Sequence, residues 1–150
     1  MGLTRQAGAP RRRTLLAAAT AAAIVVVVSF AAGHAQSGPP AVAVQKSAER
    51  GVTVSVRPLD LSVAAKRWSF EIVLDTHSAD LSDDLAKGAL LVDDRGAEYR
   101  PAGWQGDPPG GHHRKGTLDF APVAPRPAAI ELRIQRPGES APRAFRWRLQ

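Results

Sequence analysis

Trp68-Ser69-Phe70-Glu71-Ile72-Val73-Leu74-Asp75 and Ile130-Glu131-Leu132-Arg133-Ile134-Gln135 decide the fold. In both stretches a large apolar side chain falls on every second residue. A period of two places that set on one face of an extended strand and leaves the other face to water. The alternation recurs in Val52, Val54 and Val56, in Leu118 and Phe120, and in Phe145, Trp147 and Leu149. Ala89–Val92 is a short apolar run, Asp93-Asp94-Arg95-Gly96 reads as a turn, and Ala97–Arg100 returns. Gly96 can take the positive φ that closes such a hairpin. Nothing after Gly51 sustains a helical period over more than two turns, although Asp80–Lys87 can form one turn with Leu81 and Leu85 on one face. Seven strands, each with one buried face, predict an all-β domain over 51–150. The expected architecture is an immunoglobulin-like antiparallel β-sandwich, with a small barrel as the alternative. The expected core is Trp68, Phe70, Ile72, Leu74, Ile130, Leu132, Ile134, Phe145, Trp147 and Leu149.

The chain of 150 residues has neither cysteine nor asparagine. That excludes a disulfide scaffold, Cys-ligated zinc or iron–sulfur sites, a thiol nucleophile and N-glycosylation. Twenty Lys and Arg against fourteen Asp and Glu give a net charge of +6. Four of the arginines (Arg5, Arg11, Arg12, Arg13) lie in residues 1–35, which hold no acid. The rest of the chain is nearly balanced, so the basic composition does not argue for a nucleic-acid partner.

Residues 15–33 carry no charge and follow that arginine cluster. A basic start, an apolar middle and small residues at the end make an export signal, with cleavage expected after Ala35. Arg12-Arg13-Thr14-Leu15-Leu16 fits the core of a twin-arginine signal. The alternative is an uncleaved membrane anchor, since nineteen residues at 1.5 Å each reach about 28 Å, close to the thickness of a bilayer core. Either way the domain is expected outside the cytoplasm, periplasmic or secreted, touching the membrane only through this segment. Residues 36–50, rich in Pro, Ser and Ala, read as a flexible linker.

If each strand reverses the last, the loop after Asp75, the 101–116 loop and the 136–142 turn share one end. His77, His112 and His113 then meet there, and no other imidazole survives cleavage of the leader. With Asp75 beside them they are candidate ligands for zinc or copper. The plainer alternative is that all three are exposed loop residues. Trp104 and Tyr99 flank the same end, as a stacking surface or a cover for the core edge. Asp83 and Asp84 read as helix-starting or solvated. Gly106–Gly111 lacks the Lys and the following helix of a phosphate loop, and no G-x-S-x-G is present, so no enzyme is expected. Arg133, Arg146 and Arg148, joined by Arg136 and Arg143, read as an outward basic patch that could face an envelope polymer or anionic lipid; the plainer alternative is a solvated strand face that protects an edge by charge.

The run Asp75-Thr76-His77-Ser78, with Trp104-x-Gly106-x-Pro108 and Gly110-Gly111-His112-His113-Arg114, resembles a pattern of small exported bacterial domains. That resemblance covers about 40 residues and implies no activity. A looser resemblance, in size and export, is to periplasmic copper-carrier sandwiches. Those carry a metal-binding His at the mature N-terminus, and cleavage after Ala35 would remove His34.

The expected function is an extracytoplasmic binding or accessory module with a transition metal as ligand. The alternative is a structural or interaction domain of the cell envelope, bound to protein or polymer without metal. A hydrolase acting through metal-bound water would need a pocket beside the histidines. The leader can be tested directly: mass spectrometry of the exported protein should find an N-terminus near Gln36. The full-length chain in the membrane fraction would favour the anchor, and a full-length soluble cytoplasmic product would defeat both.

Overall fold

The computed structural model describes residues 43–149, together with Gly2. The expected export segment and the first part of the expected linker lie outside the described residues. Nine strands follow in order: β1 (Gln45–Glu49), β2 (Val52–Asp60), β3 (Trp68–Thr76), β4 (Ala89–Asp93), β5 (Glu98–Tyr99), β6 (Gly103–Gly106), β7 (His113–Phe120), β8 (Ala129–Ile134) and β9 (Arg143–Arg148). A single turn of helix, α1 (Leu85–Gly88), precedes β4. The strands form two antiparallel sheets, β1-β2-β3-β7-β6 and β5-β4-β8-β9, packed as a β-sandwich.

The period-two pattern reads directly into this packing. Trp68, Phe70, Ile72 and Leu74 of β3 meet Ile130, Leu132 and Ile134 of β8 and Phe145 and Trp147 of β9 in one continuous core. Leu149 packs against it half-buried, at the rim. Phe70 sits at the centre, edge-on to Phe120 at 5.7 Å and tilted against Trp147 at 5.6 Å. Such aromatic contacts add to an already large apolar burial. Leu81 and Leu85 both reach the same core, but only Leu85 lies in the helical turn.

Two strands depart from expectation. Gln45–Glu49, read as linker, is β1, paired with β2 through the register Gln45↔Val56 to Glu49↔Val52. Its residues show no apolar alternation because β1 spans the gap toward β9 instead of lining the core. The Gln45 amide donates to the Arg146 carbonyl and accepts from the Arg146 N–H at 3.1 Å, and Trp147 donates its indole N–H to the Ala43 carbonyl at 2.9 Å. Arg50 and Gly51 close the hairpin with φ of 49° and 74°, the positive pair that a tight antiparallel turn requires. The second departure is β6, which lies within the segment 101–116 expected to be a loop. It is a four-residue edge strand whose one large inward residue is Trp104.

The assignment of loops to ends survives both departures. β1 precedes every counted strand. β5 and β6 run in the same direction on opposite sheets, so the unread strand does not invert the count. One end, the histidine end, carries the Arg50–Gly51 turn and the segments 77–88, 107–112 and 135–142. The opposite end, the proline end, carries 61–67, 94–97 and 121–128. It is tied together by Arg126 donating to the Leu61 carbonyl and Ala128 N–H to Asp94.

Asp93 builds the β4–β5 turn. Its carboxylate accepts from the Arg95 guanidinium, the Arg95 and Ala97 N–H groups and the Tyr99 hydroxyl. The bond from Arg95 is the foremost reason its pKa falls from 3.8 to about 2, outweighing the upward push of burial. The folded value lies below that of the unfolded chain. The stabilisation is therefore whole above about pH 4 and is lost as pH falls toward 2. The melting temperature of Asp93→Asn should depend less on pH across that window than wild type does, so the two curves converge in acid. Parallel curves would show that Asp93 does not govern acid stability.

Candidate functional site

The histidine end is assembled from β3 and β7. Their register sets Asp75 opposite His113 and Leu74 opposite Arg114. The His113 Nδ1 lies 2.5 Å from an Asp75 carboxylate oxygen, on side chains that are both more than half exposed. With Nδ1 engaged, Nε2 is the nitrogen left for a partner. His77 and His112 are exposed, and among the described residues their imidazoles make no hydrogen bond. Among the described residues no three His, Asp or Glu side chains gather to hold a metal ion. Of the four expected donors, Asp75 and His113 come together, and His77 and His112 do not complete a set of three with them. The cause lies in the backbone. The His112 carbonyl accepts from the Thr76 N–H at 2.9 Å, which extends the β3–β7 ladder past its last pair. Neighbouring residues in a ladder project to opposite sides.

The loops around these imidazoles are held by buried charge. Arg114, 1% exposed, donates to the carbonyls of Leu81 and Asp83 at 2.9 and 2.8 Å and to that of Asp107 at 3.3 Å. It thereby joins the segment after β3 to the segment before β7. Leu81 also exchanges backbone bonds with Gly110 and Gly111, whose φ values of 115° and 72° suit glycine alone. Thr76 donates its hydroxyl to the Gly51 carbonyl and accepts from the Ser78 and Ala79 N–H groups, fixing the turn that carries His77.

Arg136 and Arg143, at this same end, are buried too, which corrects their place in an outward patch. Arg136 grips Asp83 with two bonds of 2.7 and 3.0 Å. Arg143 donates to the carbonyls of Ser47, Val52 and Glu49 and to the Glu139 carboxylate. Those bonds, from Arg143 first and Arg136 after it, hold the Glu139 carboxyl below the usual range against the opposing effect of burial. Asp83 is thus one half of a buried ion pair, while Asp84 caps α1 by accepting from the Lys87 N–H. Arg133 and Arg146 do face outward, but both bond Glu131 and Arg133 also reaches Glu98, so that patch is largely neutralised. Trp104 covers the core edge beneath the Arg114 guanidinium and donates to the Asp107 carbonyl.

Sequence reading missed these buried arginines, although a signal was present. Arg136 lies two residues beyond Ile134, Arg143 two before Phe145, and Arg114 four before Leu118. Each continues the inward parity of its own strand, as Thr76 does after Leu74.

An open groove of about 290 Å³ crosses the outer face of the five-stranded sheet, lined by Lys46, Ser55, Arg57, Glu71, Val73 and Asp75 with Val44 at its side. Glu71 accepts from Lys115 and Arg57 there, and those bonds lower its pKa. No protein-family model matches the chain, and no curated protein or solved structure shows significant similarity to it.

The buried pair can be tested by replacement. Arg136→Met leaves the Asp83 carboxylate without its guanidinium and should cost about 3–5 kcal/mol in denaturant unfolding. Adding Asp83→Asn should recover part of that loss, as coupled neighbours do. Strictly additive losses would show that the two groups do not depend on each other.

Proposed function

We propose that this is a non-enzymatic extracytoplasmic binding module of the cell envelope, which engages a protein or polymer through its histidine end. One observation carries the reading. Arg114 locks the segments bearing His77 and His112 into a fixed arrangement, while those imidazoles stay exposed and unbonded among the described residues. Rigid loops presenting polar side chains with no structural work are how scaffolds display binding groups. Asp75 and His113 stand on an open surface, whereas catalysis favours a water-excluding enclosure. The basic and apolar leader supports placement outside the cytoplasm.

The sandwich is read as immunoglobulin-like. The order β2-β3-β7-β6 facing β5-β4-β8-β9 supports it, corresponding to strands A-B-E-D and C′-C-F-G of that fold with β1 added ahead of A. Binding of zinc or copper is the second reading, favoured by the Asp75–His113 pair. Two donors are fewer than a transition ion takes, so a partner would supply the others.

A photo-crosslinking residue at His77 or His112 of the exported protein should form envelope adducts. The same residue at Arg133, on the outer face of the four-stranded sheet, should not. Equal labelling from both faces, or none, overturns the reading. If zinc or copper alone raises the melting temperature, and His113→Ala abolishes the rise, the metal reading replaces it.

A further inference from the structure

We infer that the groove on the outer face of the five-stranded sheet binds a short zwitterionic peptide, its carboxylate at Lys46 and its ammonium at Asp75. This site is separate from the contact proposed for the histidine end, since it uses neither His77 nor His112. Strand register lays it out. Lys46, Ser55, Val73 and Lys115 stand in one row across β1, β2, β3 and β7. Arg57 and Glu71 are opposite each other in the row toward the proline end. Asp75 stands between Thr53 and His113 in the row toward the histidine end. Alternate residues of a strand share a face, so the three rows look outward together.

Most charges on this face already have partners. Glu71 takes Arg57 on one oxygen and Lys115 on the other, at 3.0 and 3.1 Å. Asp119, in the last row, takes Arg67, Ser69 and Gln105. Asp60 accepts from the Ser62 N–H of its own loop, and Glu49 accepts from Ser47 on the other side of β1. Two opposite charges remain. Lys46 is exposed and makes no ion pair or hydrogen bond among the described residues. Asp75 gives one oxygen to His113, which is charged only when protonated, and keeps the other free. Arg50, in the β1–β2 turn, pairs with neither acid of that row or turn among the described residues. Arg57 bonds Glu71 through Nε and Nη2, which leaves its Nη1 as a second donor beside Lys46.

Spacing selects the occupant. Lys46 and Asp75 are two strands and two residues apart, about 12 Å between Cα atoms at ordinary sheet spacings. Their side chains shorten that gap to what the two ends of a peptide of two or three residues span. A lone anion would leave Asp75 unmatched, a lone cation would leave Lys46 unmatched, and a single amino acid is too short for both. Between the two charges lie Ser55 and Val73, each half-buried, with Val44 beside them at 49% exposure. The Ser55 hydroxyl makes no hydrogen bond among the described residues. A hydroxyl can donate or accept, which suits the peptide group that would lie over it. Val73 and Val44 offer apolar contact to small aliphatic side chains. No aromatic side chain lines the groove, so a sugar ring has nothing there to stack on.

The test titrates the full chain with trialanine, free at both ends, and follows backbone amide resonances by NMR. Exposed ion contacts are individually weak, so binding is read as saturable shifts in fast exchange. The resonances of Ser55 and Val73 should move, while that of Arg133, on the other sheet, should not. Acetylating the amine of the probe, or amidating its carboxylate, should each weaken binding several-fold. Lys46→Gln should abolish the difference between the free and amidated probes, and Asp75→Asn the difference between the free and acetylated ones. Both positions are exposed, so the variants should melt near the wild-type temperature. Three outcomes overturn the proposal: no saturable shift, shifts centred away from Ser55 and Val73, or a loss from blocking only one end, which would mark a simple ion site. Crosslinking from His77 or His112 is scored independently of these shifts, so the two results can fail separately.

Discussion

Three guanidinium groups buried at one end of a cysteine-free sandwich are the constraint on which the histidine end depends. Taking a charge out of water is costly unless every donor finds a partner. Here backbone carbonyls and two carboxylates meet most of that demand. Arg143 ties β9 to the β1–β2 hairpin, Arg136 ties the turn after β8 to Asp83, and Arg114 ties the segment after β3 to that before β7. The Arg114 Nε is buried without a partner, so the clamp is not fully satisfied. What these bonds supply in place of cross-links is geometry: they determine where the loops go and therefore where the imidazoles stand.

The β-class was legible because alternation is a local property. A strand half-buried in a two-layer core must place apolar groups two residues apart, and β3, β8 and β9 do so without interruption. β1 was illegible for the converse reason. Its inward residues, Gln45 and Ser47, meet polar edges instead of the core, so no apolar signal exists to be read. The Glu49-Arg50-Gly51-Val52 turn was the one local sign of it. Assignment of loops to ends held because β5 and β6 point the same way.

The candidate site was legible in place but not in shape. Strand parity brought His77, His112 and His113 to one end. Whether imidazoles converge depends on backbone bonding, and the ladder bond at His112 governs that beyond the reach of residue type. The buried arginines escaped for a different reason. Charge suggests an outward face for Arg136 and Arg143, whereas parity puts both inward, and Arg114 with them. At the end of a strand, where the core meets its rim, parity outranks polarity.

Gln45 has a consequence for association between copies. β9 is the last strand of its sheet, and a bare last strand is a template onto which another chain can add. The Gln45 amide imitates the peptide group of a neighbouring strand, filling both the donor and acceptor positions of Arg146 from the side. A foreign strand approaching there must first displace a side chain and the hairpin that carries it. One glutamine thus works as a stopper against sheet extension, and copies that associate will do so more readily through faces and loop tips than by joining their sheets along β9.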